Sequence, residues 1–190
     1  MRLFTGIELD ASVVRAAGEL AAELARRCDR IAPRARVAWI TPERMHVTVR
    51  FIGHQNDEAF MRIRAVLDDP VPVFPFTLTV GGLGSFPPRG SPRVLWVGLS
   101  GDIEHLHDIE REVTARLARV GVPPEDRPYS PHLTIARVKE PGGLKTLPLF
   151  QGLGDIALGS TSVEAITLFE SRVSSKGPTY IPFQRTALLA

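Results

Sequence analysis

Apolar and polar residues recur along this chain with two different periods, and the places where the period changes mark its elements. Leu3 to Leu9 is dense in apolar residues and reads as a strand that starts the fold at once. From residue 11 to about 29 the apolar positions shift to helical spacing. Val14, Ala17, Leu20, Ala21, Leu24 and Cys28 share one face, with Asp10 at the capping position. After Pro33 and a basic turn, Val37 to Ile40 predicts a short strand, Thr41-Pro42 a turn, and Met45 to Ile52 another strand. Residues 57–68 predict a short helix with Phe60, Ile63 and Leu67 inward. Phe74 to Val80 alternates as a strand, and the glycines and prolines crowded into 81–93 predict a loop before a strand over Val94 to Leu99. A second long helix spans roughly 103–120. Asp102 opens it, Pro123-Pro124 ends it, and Ile103, Leu106, Ile109, Val113, Leu117 and Val120 lie at helical spacing. Leu133 to Val138 predicts a strand, 139–154 a Pro/Gly-rich connection, Ser162 to Phe169 a strand, Ser174 to Pro178 a turn, and Thr179 to Phe183 a last strand.

Few helices among many strands joined by hairpin-like turns give the α+β class, with antiparallel sheets rather than a doubly wound parallel one. No Gly-x-Gly-x-x-Gly opens a helix and no Walker-type loop is present, which argues against a nucleotide-cofactor fold. The 190 residues suffice for one domain with a substantial core or for two small fused lobes. The apolar share of 44% against 23% charged is that of a soluble globular chain. No apolar run reaches the roughly 18 residues of a membrane span. The first residues become charged too soon for a signal peptide. A single cysteine, Cys28, excludes an internal disulfide and a Cys-rich metal site, and fits a reducing cytoplasm. The net charge of +2 excludes a polycation but leaves room for a local basic face. Arg34, Arg36, Arg44 and Arg50 cluster around one segment, and the last twenty residues hold Arg172, Lys176 and Arg185 with no acid. Such clusters suit a phosphate-bearing partner.

Two segments repeat. Arg44-Met45-His46-Val47-Thr48-Val49-Arg50-Phe51-Ile52-Gly53 and Tyr129-Ser130-Pro131-His132-Leu133-Thr134-Ile135-Ala136-Arg137-Val138 each hold His, an apolar residue and Thr, followed by apolar residues and one arginine. They lie nearly half the chain apart, which suggests two equivalent lobes. Side chains alternate along a strand, so His46 and Thr48 share a face, as do His132 and Thr134, while Val47, Val49, Leu133 and Ile135 point into a core. If the lobes face each other, two imidazoles and two hydroxyls line one cleft. One imidazole then serves as general base toward water, and the other, protonated, as general acid toward a leaving oxygen. Thr48 and Thr134 hold non-bridging phosphate oxygens, and Arg137 adds charge where the transition state gains it. The scheme calls for no metal and no cofactor.

These segments resemble the signatures of the 2H phosphoesterase superfamily, and most closely its bacterial and archaeal branch, the RNA 2',3'-cyclic phosphodiesterases also known as 2'-5' RNA ligases. Arg2 to Ile7 is similar to that branch's opening strand, Pro92 to Gly98 to its middle strand, and Leu168 to Ser171 with Gly177 to Tyr180 to its closing hairpin. The resemblance implies a bilobal fold with pseudo-twofold symmetry: two antiparallel sheets facing a central cleft, helices packed outside, the lobes intertwined in one domain over 1–190. It implies hydrolysis of a terminal ribose 2',3'-cyclic phosphate to a 2'-phosphomonoester, with His46 as proton donor and His132 as proton acceptor, and reverse 2'-5' ligation at the same site. The partners implied are RNA ends or nucleotides bearing the cyclic phosphate, and a monomer is expected. Two alternatives stay open: a 2H enzyme acting on a small cyclic phosphate or 2'-5' oligonucleotide, and a non-catalytic module that grips RNA phosphate.

Several residues are ambiguous at this level. Arg137, five residues after His132, belongs by simple alternation on the opposite face, so a bulge or twist near Ala136 is needed to bring it round. Arg50 has the right parity but sits further along its strand. Phe51 occupies the position of Arg137 in the first copy and is a candidate for stacking on the terminal base, with core packing as the alternative. Tyr180 and Phe183 share that ambiguity. Trp39 and Trp96 read as core. His105 and His107 fall on different faces of a helix and make a poor metal pair. The loop 81–93 reads as solvated.

Overall fold

The architecture was obtained as a computed structural model that describes residues 1–175 and 177–189; Lys176, from the basic C-terminal segment, lies outside them. In chain order the elements are β1 (Arg2–Ile7), α1 (Ala11–Ile31), β2 (Arg36–Trp39), a 3₁₀ turn (Pro42–Arg44), β3 (Val47–His54), α2 (Asp57–Val66), β4 (Phe76–Phe86), β5 (Val94–Gly101), α3 (Ile103–Ala118), β6 (Leu133–Glu140), α4 (Thr146–Leu149), β7 (Ala157–Val163), β8 (Ala165–Ser174) and β9 (Gly177–Ala187). All strand pairings in the sheet are antiparallel, and their order is β7-β4-β5-β6-β3-β1-β8-β9, with β2 added to β6. The α+β reading therefore holds. Among the described residues no helix is long and apolar enough to cross a membrane.

The sheet has two halves, β3-β1-β8-β9 and β6-β5-β4-β7, that meet in the register pair Val47↔Leu133. Each of these residues follows directly on a histidine of the repeated motif, and both are fully buried. The unit β1-α1-β3 of the first half matches β5-α3-β6 of the second, and each helix packs under the other half. Val13, Ala17, Leu20, Ala21, Leu24 and Cys28 of α1 join a core with Leu95, Val97, Leu133 and Ile135. Leu106, Ile109, Val113 and Leu117 of α3 join a core with Leu3, Ile7, Val47 and Val49. Neither half encloses its own apolar face, so the exchange of helices is what buries both.

Some expectations need correction. The buried stripe of α1 runs through Val13 rather than Val14. Asp10 makes no side-chain cap to α1; its carboxylate accepts from the Ser162 N–H at 3.3 Å, and its own N–H donates to Thr161 Oγ1 at 2.9 Å, tying the helix start to β7. The predicted loop 81–93 is strand up to Phe86, because the ladder with β5 continues through the glycines after the pairing with β7 ends at Gly81. The single strand expected over Ser162 to Phe169 is two, β7 on the second half and β8 on the first, with the chain changing halves at Glu164. A four-residue helix interrupts the connection 139–154.

Gly84 shows why the glycines of β4 are there: a Cβ at this position would lie 2.2 Å from the ring of Trp96, which crosses the strand at that point. Gly84→Ala is expected to displace the indole and cost about 1–3 kcal/mol, the usual range for overpacking. Chemical denaturation read by tryptophan fluorescence checks it. Unchanged stability and an unchanged native spectrum would show that the ring moves aside freely.

Candidate active site

Both copies of the motif break the alternation of their strands at the same place. On β3, Thr5 pairs with Arg50 and Gly6 with Thr48, so Val49 is an extra residue. On β6, Leu95 pairs with Ala136 and Trp96 with Thr134, so Ile135 is extra. A bulge of this kind puts two consecutive side chains on one face and reverses the phase beyond it. The burial pattern agrees: Val49 and Arg50, like Ile135 and Ala136, are buried together, while Phe51 and Arg137 emerge on the face of Thr48 and Thr134. The bulge required to bring Arg137 round is present. The same device overturns the parity assigned to Arg50, which is 3% exposed and points away from the cleft.

His46 and His132 each precede their strand and are fixed alike. Nδ1 of His46 lies 2.8 Å from the Arg44 carbonyl oxygen, and Nδ1 of His132 lies 2.7 Å from that of Ser130. A carbonyl only accepts, so each Nδ1 carries the proton and each Nε2 of the neutral ring is left as the acceptor nitrogen. Nε2 of His46 is 3.0 Å from Thr48 Oγ1. The rings sit among aromatics: His46 against Phe4 at 4.8 Å and edge-on to Tyr180 at 5.1 Å, His132 edge-on to Phe86 at 5.0 Å with Trp96 at 6.3 Å. Burial holds both imidazoles below their ordinary value of 6.5 against the opposing pull of their carbonyl partners. The charge of Arg137 lowers both further, and that of His132 also lowers His46, so the two rings share one electrostatic environment.

A cavity of about 600 Å³ opens beside them, lined on one side by Phe4, His46, Thr48, Phe51 and Tyr180 and on the other by Thr134 and Arg137, with Arg2 and Arg44 at its walls. Among the described residues no carboxylate lines it, so it favours an anion. The Arg137 side chain has no hydrogen-bond or ion-pair partner among the described residues, and Phe51 is 51% exposed. The structure thus gathers His46, Thr48, Phe51, Thr134, Arg137 and Tyr180 around one space; His132 stands just outside its lining. Trp96 is not core but a cleft residue beside His132, whereas Trp39 packs half-buried on the α1 core. Phe183 packs with Phe60 outside the cleft. Phe4 and Phe86 were missed. Phe4 lies in a strand buried at every position after the first, where alternation carries no signal, and Phe86 ends a strand that looked like a loop. Among the described residues no group of three or more His, Cys, Asp or Glu side chains is placed to hold a metal ion.

Paired bulged strands, each presenting an imidazole and a hydroxyl to a cationic cleft, define the two-histidine phosphoesterase class. The sequence model of the 2'-5' RNA ligase superfamily matches residues 19–173, and the chain belongs to that superfamily. The resemblance read from the two motifs is borne out. An RNA 2',3'-cyclic phosphodiesterase of Aeropyrum pernix is 35% identical over 145 residues, 74% of this chain and 80% of that protein. One of Archaeoglobus fulgidus is 29% identical over 180 residues, 95% of this chain and 96% of that protein. The crystal structure of TT0787 of Thermus thermophilus superposes with a TM-score of 0.74 at 25% identity, covering 99% of this chain and 98% of that one. That of E. coli LigT complexed with 3'-AMP, at 22% identity and a TM-score of 0.72, covers 100% of this chain and 98% of that one and shares the fold.

The depressed histidines set the sign of a stability change. Above pH 6.5 both folded and unfolded chains hold them neutral; as pH falls below 6.5 the unfolded chain takes up the protons first, so stability declines. Replacing both by asparagine is expected to flatten this decline between about pH 6.5 and 5, above the carboxylate range. Urea denaturation at stepped pH measures it, and an equal slope in both proteins would refute the assignment.

Proposed function

We propose that this protein hydrolyses the 2',3'-cyclic phosphate at an RNA end to a 2'-phosphomonoester, with His46 and His132 moving the protons. RNA as the substrate is supported by the names of the relatives. The observation that carries the mechanism is the one-sidedness of the cavity: its aromatic walls Phe4, Phe51 and Tyr180 lie on the His46 side, and His132 is not part of its lining. A nucleoside held there turns its ribose oxygens toward His46 and the far side of phosphorus toward His132. Displacement at phosphorus brings the nucleophile in opposite the leaving group. Nε2 of His132 takes a proton from water as the new P–O bond forms, and Nε2–H of His46 gives its proton to the 3' oxygen as the P–O3' bond breaks. The 2' ester survives, the 3' hydroxyl is freed, and exchange with solvent resets both rings.

The phosphate is held by the Thr134 hydroxyl, the Arg137 guanidinium and the Thr48 hydroxyl. Thr48 is linked to the state of His46. When His46 is neutral the hydroxyl donates to Nε2; once His46 is protonated, Nε2–H donates to Oγ1 and the hydroxyl proton turns to the phosphate. Phe51 and Tyr180 flank the terminal base. A 5'-hydroxyl of a second RNA end in place of water yields a 2'-5' linkage through the same steps.

In EDTA, His46→Ala and His132→Ala are each expected to lower kcat/KM on a 2',3'-cyclic oligonucleotide by about 10²–10⁴ while circular dichroism stays unchanged. Full activity in either variant rejects the mechanism. A panel with small cyclic phosphates and 2'-5' oligonucleotides ranks substrates by kcat/KM.

The pH dependence offers a separate check. kcat/KM, which reports the free enzyme, is expected to be bell-shaped with its maximum on the acid side of 6.5, because both histidines are depressed there. The bound anion favours the imidazolium, so the kcat maximum is expected at higher pH. A flat profile, or a kcat maximum at lower pH than that of kcat/KM, contradicts the scheme.

A further inference from the structure

His132 is delivered by the connection from α3 to β6, which has no regular structure from Val122 to His132. A loop of this length does not by itself hold an imidazole to the tolerance that proton transfer demands. Three residues fasten it to β3, the strand of the other histidine. The Arg50 guanidinium donates through Nη2 to the Pro123 carbonyl and through Nη1 forms an ion pair with Glu125 Oε1 at 2.5 Å. The same Glu125 oxygen accepts from the Phe51 N–H at 3.3 Å. The hydroxyl of half-buried Tyr129 donates to the Thr48 carbonyl at 2.9 Å. Tyr129 immediately precedes Ser130, whose carbonyl holds His132 Nδ1, and Thr48 is the residue whose hydroxyl meets His46 Nε2. A continuous chain of contacts therefore joins the two rings behind the cleft.

The bulge on β3 is what makes this possible. In an unbulged strand Arg50, two residues after Thr48, would face the cleft; the bulge turns its 3% exposed guanidinium to the back and gives it to the loop. We propose that Tyr129, Arg50 and Glu125 form a positioning clamp that holds the His132 imidazole in register with His46 for catalysis. The three are positioning residues: none touches the cavity, and each acts through the Ser130 carbonyl or the loop that carries it. This inference rests on the proposed two-histidine reaction.

The clamp is tested with Tyr129→Phe, which removes one hydrogen bond at constant shape, and Glu125→Gln, which removes the ion pair. On the 2',3'-cyclic oligonucleotide, kcat is expected to fall about tenfold or more in each, since a small misplacement of a catalytic group is costly. KM is expected to stay within about twofold, because the cavity is untouched. In the substrate-free protein, the imidazole Nδ1–H resonance of His132 is expected to broaden or vanish in Tyr129→Phe while that of His46 persists. Lower thermal stability with unchanged kcat, a rise in KM alone, or two unaltered Nδ1–H resonances would each overturn the clamp. If Tyr129→Phe does not fold, the kcat and KM of Glu125→Gln decide alone. If the wild type leaves the cyclic phosphate intact, the proposed reaction falls, and the resonances of the substrate-free protein still decide whether the loop ties hold His132.

Discussion

The structure turns on one backbone irregularity used twice. An extra residue in β3 and another in β6, at the same distance beyond each histidine, reverse the phase of strands whose first residues are already committed to the core. Before the bulge, Val47 and Leu133 close the seam between the two halves of the sheet and leave Thr48 and Thr134 on the cleft side. After it, Phe51 and Arg137 return to that side and Arg50 is withdrawn. Without the bulges the cleft would hold Arg50 and Ala136, and Phe51 and Arg137 would enter a core that has no place for an unpaired guanidinium. Moving such a charge out of water without a partner is far costlier than a bulge.

The histidines are set by equally local means. Each Nδ1 is committed to the carbonyl two residues upstream, so the chain's own turn chooses the tautomer and points Nε2 outward. Two opposing effects then act on each ring: burial among aromatics drives it neutral, and the carbonyl contact favours the charged form. Burial wins in both, and the nearby Arg137 adds to it. The resting site is therefore poor in protons and rich in fixed positive charge. An anion entering it supplies the missing counter-charge and raises the proton affinity of both rings.

Much of this was legible in the sequence, and what was not has physical causes. The helices α1 and α3 and the paired histidine strands followed from period alone, because each buries one face. The seam residues and the pairing of His46 with Thr48 followed from alternation. The bulges left only a faint trace, the consecutive apolar pair Ile135-Ala136; in the first copy the charged Arg50 hid the same trace. The glycines of β4 misled because glycine marks turns and close approaches alike. At Gly81 a Cβ would lie 2.7 Å from the Ile156 carbonyl, and at Gly84 it would enter the Trp96 ring, so these glycines let other groups approach a strand rather than end it. The change of halves at Glu164 is invisible to periodicity because β8 is buried at each of its first six positions and has no alternation to break.

The duplication also explains why the two copies differ. A perfectly twofold cleft would bind a twofold substrate, but a cyclic phosphate on a ribose has a sugar on one side of phosphorus and solvent on the other. The copies diverge at the positions that face this difference. Phe51 and Arg137 are equivalent across the bulges, one an exposed ring and the other an unpaired cation. Gly6 and Trp96 are equivalent opposite the two threonines: the glycine leaves room for His46, where a Cβ would meet its ring at 3.3 Å, while the indole stands beside His132. In the proposed reaction, what is shared between the copies, imidazole and hydroxyl on a bulged strand, serves both ends of the phosphoryl transfer. On that proposal, what differs suits a nucleoside on one side and water on the other.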